Sequence, residues 1–101
     1  LGVAYPDEGV ELRKNHIRLP IMVMNASAES MELCLKHDLE PEVFSRAQLE
    51  EMVQRLDGRA LNIHLKFDTG MHRLGFVEGE WSIIFDRLKE LPNVRVASVF
   101  T

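Results

Sequence analysis

The sequence is poor in the features that mark several classes of protein. Its single cysteine, Cys34, excludes a disulfide within the chain, and no CxxC or Cys/His spacing indicates structural zinc. No apolar run approaches the roughly 18 residues of a membrane span, and the first residues lack the pattern of a signal peptide. Basic residues are scattered, and the net charge is -4. We therefore expect a cytoplasmic protein without a metal, nucleic-acid or membrane partner.

The composition is that of an ordinary globular domain. Of the 101 residues, 46% are hydrophobic and 28% are charged, which is enough apolar material for one modest core. No repeat, low-complexity segment or flexible linker divides the chain, so residues 1–101 are expected to lie in one domain. Because Leu1 begins inside an apolar run and VRVASVFT ends without a polar tail, we expect a piece of a longer protein.

Two segments have the apolar spacing of helices. Ser45 and Gln48 form a capping-box pattern ahead of a helix that extends to about Leu56, and Asp57-Gly58 follows as a stop. A second helix begins near Trp81 and ends before Pro92. The apolar stripes that support these two helices are Leu49, Met52, Val53 and Leu56, and Trp81, Ile84, Phe85 and Leu88. A weaker helix carries Met31, Cys34 and Leu35, and a short one follows Pro6 and ends near Lys14.

Short apolar runs lie between these helices and are predicted to be strands. Strict alternation of strand and helix favours parallel pairing, because each parallel connection must cross over the sheet. The predicted fold class is therefore α/β, and PIMVM is expected to be buried on both faces. The five runs are LGVAY, PIMVMN, LEPEVFS, LNIHLKFD and VRVASVF.

The run LNIHLKFD alternates between apolar and polar residues. The polar row, which includes His64, Lys66 and Asp68, would be hard to bury in an open sheet covered by helices on both faces. A barrel accommodates it, because the apolar row packs on the helices while the polar row lines the interior. About five strands make a partial (β/α)8 barrel, with Lys66 and Asp68 near its catalytic end.

The segment HLKFDTGMHRLGF, residues 64–76, contains every fixed position of an H-x-K-x-D-T-G-M-x-R-x-G pattern. In this it resembles the pyridoxal-phosphate-dependent alanine racemases, and the resemblance extends through DEGVELRK, PIMVMN and LEPEVFS to VFT. It implies a (β/α)8 barrel whose intact protein interconverts L- and D-alanine with pyridoxal phosphate, as a homodimer, and supplies D-alanine for bacterial peptidoglycan. AYPDEGVELRK and PIMVMN look most like members fused behind a cell-wall ligase.

The resemblance also implies roles for three residues. Lys66 would be carbamylated by carbon dioxide, and its carbamate would hold Arg73, which reaches the cofactor and the substrate. A lysine beside a guanidinium is repelled as a cation, which favours the nucleophilic neutral amine and makes the modification reasonable. Met24, at the end of PIMVM, corresponds to a position that lines the cofactor pocket, with core packing as its alternative.

Several features of the resembled family fall outside the sequence. Its cofactor-binding lysine lies in a segment before Leu1, and its catalytic tyrosine lies in a C-terminal β-domain. We therefore expect this chain alone to be inactive. Two other functions stay open: a racemase of another amino acid such as serine, and a non-enzymatic barrel that binds pyridoxal phosphate.

Each candidate residue also has a structural interpretation. Lys66 and Asp68 alone would suggest an ion pair on a strand, and His64 a hydrogen-bonded structural residue. Cys34 is expected to be a small core residue. The acidic residues Glu40, Glu42, Glu50 and Glu51 are interpreted as a solvated face, not as a metal site.

Overall fold

A computed structural model describes residues 1–66 and 81–100, in which strands and helices alternate. This order confirms the predicted α/β class. A single 3-10 turn, Ala28–Ser30, precedes the second helix. The elements in chain order are β1 (Gly2–Val3), α1 (Pro6–Lys14), β2 (Ile21–Val23), α2 (Met31–Lys36), β3 (Leu39–Val43), α3 (Arg46–Leu56), β4 (Leu61–Lys66), α4 (Trp81–Lys89) and β5 (Val94–Phe100).

The five strands form a sheet in the order β1-β2-β3-β4-β5, and every neighbouring pair is parallel. Crossovers between parallel strands are right-handed, so consecutive strand order places the connecting helices on one face of the sheet. We call the helix-covered face the outer face and the opposite one the inner face. This is the arrangement of a partial β/α barrel.

The core lies between the outer face and the helices. Leu61, Ile63 and Leu65 of β4 are buried there, whereas the intervening Asn62, His64 and Lys66 are half-buried on the inner face. This confirms the predicted alternation of apolar and polar rows. The helices contribute further buried side chains, namely Met31, Cys34, Leu49, Met52, Leu56 and Ile84.

Helix α3 begins where its capping pattern predicts, with one difference in the hydrogen bonds. The Ser45 hydroxyl accepts from the Gln48 backbone N–H at 3.1 Å, as expected. The Gln48 side chain, however, accepts from the backbone N–H of Phe44 at 2.8 Å, one residue before the expected partner. The helix ends at Leu56. The capping residue Asp57 has a left-handed φ of 51°, and Gly58 follows with a φ of 80°.

Two predicted apolar surfaces are more exposed than expected. In β2, Ile21 and Val23 are buried, but Met22 is only half-buried, because it points to the inner face where no helix packs. The expectation that this strand is buried on both faces is therefore wrong. In α4, Ile84 is buried while Phe85 is 39% exposed, since each residue turns about 100° around a helix and Phe85 lies at the rim of the packed face.

Candidate functional site

A hydrogen-bonded group of polar side chains crosses three strands on the inner face. His64 of β4 lies between Glu40 of β3 and Ser98 of β5. Its Nε2 is 2.7 Å from Glu40 Oε1, and its Nδ1 is 2.6 Å from Ser98 Oγ. Asn62 donates from Nδ2 to the other Glu40 oxygen at 3.3 Å. With both ring nitrogens engaged, His64 matches its predicted role as a hydrogen-bonded structural residue.

An irregularity in β5 creates the contact between His64 and Ser98. Ile63 pairs with Val96, but His64 pairs with Ser98, so Ala97 is an extra residue opposite β4. Such a bulge shifts the alternation of the strand that contains it. Here it brings a hydroxyl, in place of the Ala97 methyl group, opposite the imidazole.

Lys66 and Glu42 form a second polar group nearer the carboxyl ends of the strands. The Lys66 Nζ lies 3.9 Å from Glu42 Oε1, and 34% of the Lys66 side chain is exposed. Glu42 is 4% exposed and is the only charged residue buried to this degree among those that the structure describes. A buried carboxylate is costly without a counter-ion, and Lys66 supplies one.

Burial raises the pKa of the Glu42 carboxyl, while the nearby Lys66 and His64 side chains act in the opposite direction. The interpretation of the acidic residues as a solvated face is therefore wrong for Glu42, and also for Glu40, whose side chain is mostly buried. Glu40 and Glu42 are two residues apart in LEPEV, on the face that carries the polar row of β4. That spacing is a sequence signal for a shared face, but it does not by itself indicate that either side chain is buried.

Some of the predicted site residues lie among the described residues, and others lie outside them. Lys66 lies at the carboxyl end of β4, in the region expected for it. Met24 follows β2, and because 41% of it is exposed it does not belong to the core. Arg73 and Asp68 lie outside the described residues.

A cleft of about 390 Å³ opens on the inner face, lined in part by Met22, Glu40, His64, Ser98 and Phe100. Its lining is polar on β3 and β4 and apolar at Met22 and Phe100.

Lys66 and Met24 lie toward the carboxyl ends of their strands, where barrel enzymes hold their ligands. An accessible amine and an exposed thioether fit the edge of a cofactor site, and the described residues contain no further lysine on the inner face to anchor a cofactor covalently.

Neither a metal-binding group of side chains nor a membrane-spanning helix occurs in the part of the chain that the structure describes. There, no group of three or more His, Cys, Asp or Glu side chains is arranged to hold a metal ion. No helix of these residues is long and apolar enough to cross a membrane. Cys34 is buried in the core as predicted, and burial raises the pKa of its thiol to about 11, which keeps it protonated and unreactive near neutral pH.

A parallel sheet in consecutive strand order, with helices on one face and polar side chains on the other, defines a protein of the β/α-barrel class. The sequence matches the family described as "Alanine racemase, N-terminal domain" over residues 1–101. The chain belongs to this family.

Individual relatives agree with the family match. The chain is 38% identical to an alanine racemase of Clostridium novyi (strain NT) over 105 residues, covering 100% of this chain and 27% of that protein. Among solved structures, the alanine racemase from Corynebacterium glutamicum superposes with a TM-score of 0.89 at 27% identity, covering 99% of this chain and 30% of that one. An alanine racemase of Clostridium difficile 630 in complex with cycloserine superposes with a TM-score of 0.87 at 31% identity. The match covers 100% of this chain and 29% of that one.

The shared region is a limited part of these relatives. The chain spans about 27% of the length of the curated alanine racemase from Clostridium novyi.

Proposed function

We propose that this chain is a segment of the barrel domain of an alanine racemase, and that the complete protein interconverts L- and D-alanine with pyridoxal phosphate. The observation that carries the proposal is the position of Lys66. It lies within the motif of the family to which the chain belongs, at the carboxyl end of a strand and on the polar inner face. That end of a β/α barrel is where catalytic side chains lie.

The proposal assigns roles to three residues. Lys66, as a carbamate, orients Arg73, and Arg73 binds the cofactor and the substrate through the donors of its guanidinium. Met24 contributes apolar contact to the cofactor pocket, which is consistent with its exposure after β2. The cofactor, when bound, acts as the electron sink that makes the α-proton of alanine removable.

The wider biology follows from the same proposal. The complete protein works as a homodimer in the bacterial cytoplasm and supplies D-alanine for peptidoglycan. Residues 1–101 form part of its barrel domain, and the cofactor-binding lysine and the catalytic tyrosine lie outside them. The chain alone is then inactive, since no described residue supplies either base.

The direct test is the formation of D-alanine from L-alanine with pyridoxal phosphate, run in parallel on the complete protein and on this chain. We expect turnover in the complete protein only. A panel that includes L-serine separates the alternatives: faster conversion of serine than of alanine would assign another amino-acid racemase. Spectroscopic binding of pyridoxal phosphate without turnover of any amino acid would assign a non-enzymatic binding protein.

A further inference from the structure

We propose that Glu42 accepts the ammonium proton of Lys66 and stays protonated beside the carbamate, so that Glu42 sets how much carbon dioxide the modification requires. This inference rests on the modified Lys66 of the proposed function. It adds a residue of β3 to a site so far defined by the motif on β4 and after it.

The contact geometry makes Glu42 the described carboxylate that faces the Lys66 amine. Its carboxylate oxygen is 3.9 Å from the Lys66 Nζ, and the Glu42 side chain is almost fully buried while Lys66 remains accessible to a small electrophile. An anionic Glu42 at this distance forms an ion pair with the Lys66 ammonium. The ammonium has no lone pair with which to attack carbon dioxide.

A carbamate at Lys66 would reverse this interaction. The modification puts a negative charge on the group that faces the buried carboxylate, and two anions this close cannot both be ionised without a large cost. The two groups therefore share a proton, which lies on Lys66 before the modification and on Glu42 after it. A protonated carboxyl can also donate a hydrogen bond to the carbamate oxygen.

The step balances with carbon dioxide as the only co-reactant. Glu42 takes one proton from the ammonium, and the freed nitrogen lone pair forms the N–C bond to carbon dioxide as one C–O π bond breaks. The nitrogen then loses a second proton to water. The ion pair and carbon dioxide thus give the carbamate anion, the neutral carboxyl and one released proton.

The burial of Glu42 makes its carboxyl easier to protonate than an exposed one. Burial is the largest influence on its pKa and raises it, as a group that must accept a proton requires. Among the described residues, the charged or titratable groups near it on the inner face are Lys66 and His64 of β4 and Glu40 of β3. His64 is engaged by Glu40 and Ser98, which leaves Lys66 as the cation paired with Glu42 in the described part of the site.

The experiment measures carbamate formation in the complete protein. Carbon dioxide is stripped, ¹³C-bicarbonate is titrated in, and the carbamate carbon is followed by NMR. In Glu42→Gln the competing carboxylate is gone and an amide N–H can still donate to the carbamate. We expect half-occupancy at a bicarbonate concentration about tenfold lower than in the wild type.

Two further variants serve as a control and as a second test of Glu42. Glu40 lies on the same strand and face as Glu42, but its carboxylate pairs with His64. Glu40→Gln should therefore leave the bicarbonate requirement unchanged. Glu42→Met, similar in volume and uncharged, should lower the requirement as Glu42→Gln does, and it replaces that variant if Glu42→Gln fails to fold as judged by circular dichroism.

The outcomes separate this inference from the proposed function. An unchanged or higher bicarbonate requirement in the Glu42 variants would overturn the role of Glu42. The absence of a carbamate signal from a wild-type protein that racemises alanine would also overturn it, together with the carbamate role of Lys66, while leaving the racemase activity of the proposed function intact. A carbamate that shows the expected Glu42 effect in a protein without racemase activity would support the inference and contradict the proposed function.

Discussion

At the scale of single residues, Gly9 is a position where α1 comes very near the sheet. A Cβ atom placed there would lie 2.9 Å from Leu39 Cδ2 and 3.5 Å from Ile21 Cγ2. Both neighbours are buried side chains of the sheet, so neither can move without disturbing the core. Gly9 therefore allows α1 to pack directly on β2 and β3.

We predict that Gly9→Ala destabilises the protein despite the higher helix propensity of alanine. The propensity gain of about 1 kcal/mol is outweighed by overpacking, which costs about 1–3 kcal/mol. Urea unfolding should show a net loss of about 1 kcal/mol in the free energy of unfolding. Gly2→Ala is the control, because its nearest neighbour, Met22 Cε, would be at an ordinary 3.8 Å. Equal stability of Gly9→Ala and the wild type would contradict the packing described.

The inner-face position of some single residues was predictable from the sequence, and that of others was not. Lys66 and His64 could be assigned to the inner face because β4 alternates clearly between apolar and polar residues. Glu42 could not, because Pro41 and Val43 flank it in a weaker pattern, and an isolated glutamate is usually exposed. Its burial depends on pairing with Lys66, a contact between residues 24 positions apart that no local pattern reveals.

At the scale of elements, α3 depends on its N-terminal cap. The Ser45 hydroxyl accepts from the Gln48 N–H, which would otherwise have no partner within the helix. We predict that Ser45→Ala lowers the free energy of unfolding by about 1 kcal/mol. Ser82→Ala, at an exposed position within α4, should change it far less. A comparable loss in both variants would show that the cap contributes nothing specific.

An ion pair joins α3 to α4 and makes stability depend on pH. Arg87 donates from Nε and Nη2 to the two Glu50 oxygens at 2.7 and 2.9 Å, and these hydrogen bonds lower the pKa of Glu50 below its ordinary 4.5. A lowered pKa in the folded state means that the stabilisation is complete above pH 4.5 and is lost as the pH falls through the lowered value.

We predict that Glu50→Gln lowers the free energy of unfolding by about 0.5–1 kcal/mol at neutral pH, since both side chains are partly exposed. Urea unfolding at a series of pH values should show this difference shrinking below pH 4.5. Glu51→Gln, the adjacent exposed position of α3, is the control. A difference that grows as the pH falls would contradict the role of the ion pair.

The order of the elements was predictable because their signals are local, although some are weaker than others. The capped apolar stripe of α3 and the alternation of β4 each require only a short window of sequence. Exposure was harder to predict in β2, where a continuous apolar run does not reveal which face a helix covers. Met22 and Met24 therefore appeared buried on pattern alone. The β5 bulge, which pairs Ser98 with His64, likewise has no signal in VRVASVF.

At the scale of the whole molecule, the sheet divides structural from chemical roles. The outer face and its helices hold the apolar core, and the inner face holds Glu40, Glu42, His64 and Lys66. Consecutive right-handed crossovers impose this division, because they leave one face free of helices. The chain matches the N-terminal domain of alanine racemases over residues 1–101, and we infer that this face lines the interior of the barrel.

The most direct test of this account is the effect of Lys66→Ala on kcat/KM for alanine racemisation by the complete protein. If Lys66 orients groups at the reacting centre, we expect a loss on the order of 100-fold or more, as for other preorganised polar groups. Lys89→Ala, at an exposed lysine of α4, should leave kcat/KM unchanged. Full activity in Lys66→Ala would contradict the central claim that this lysine belongs to the active site.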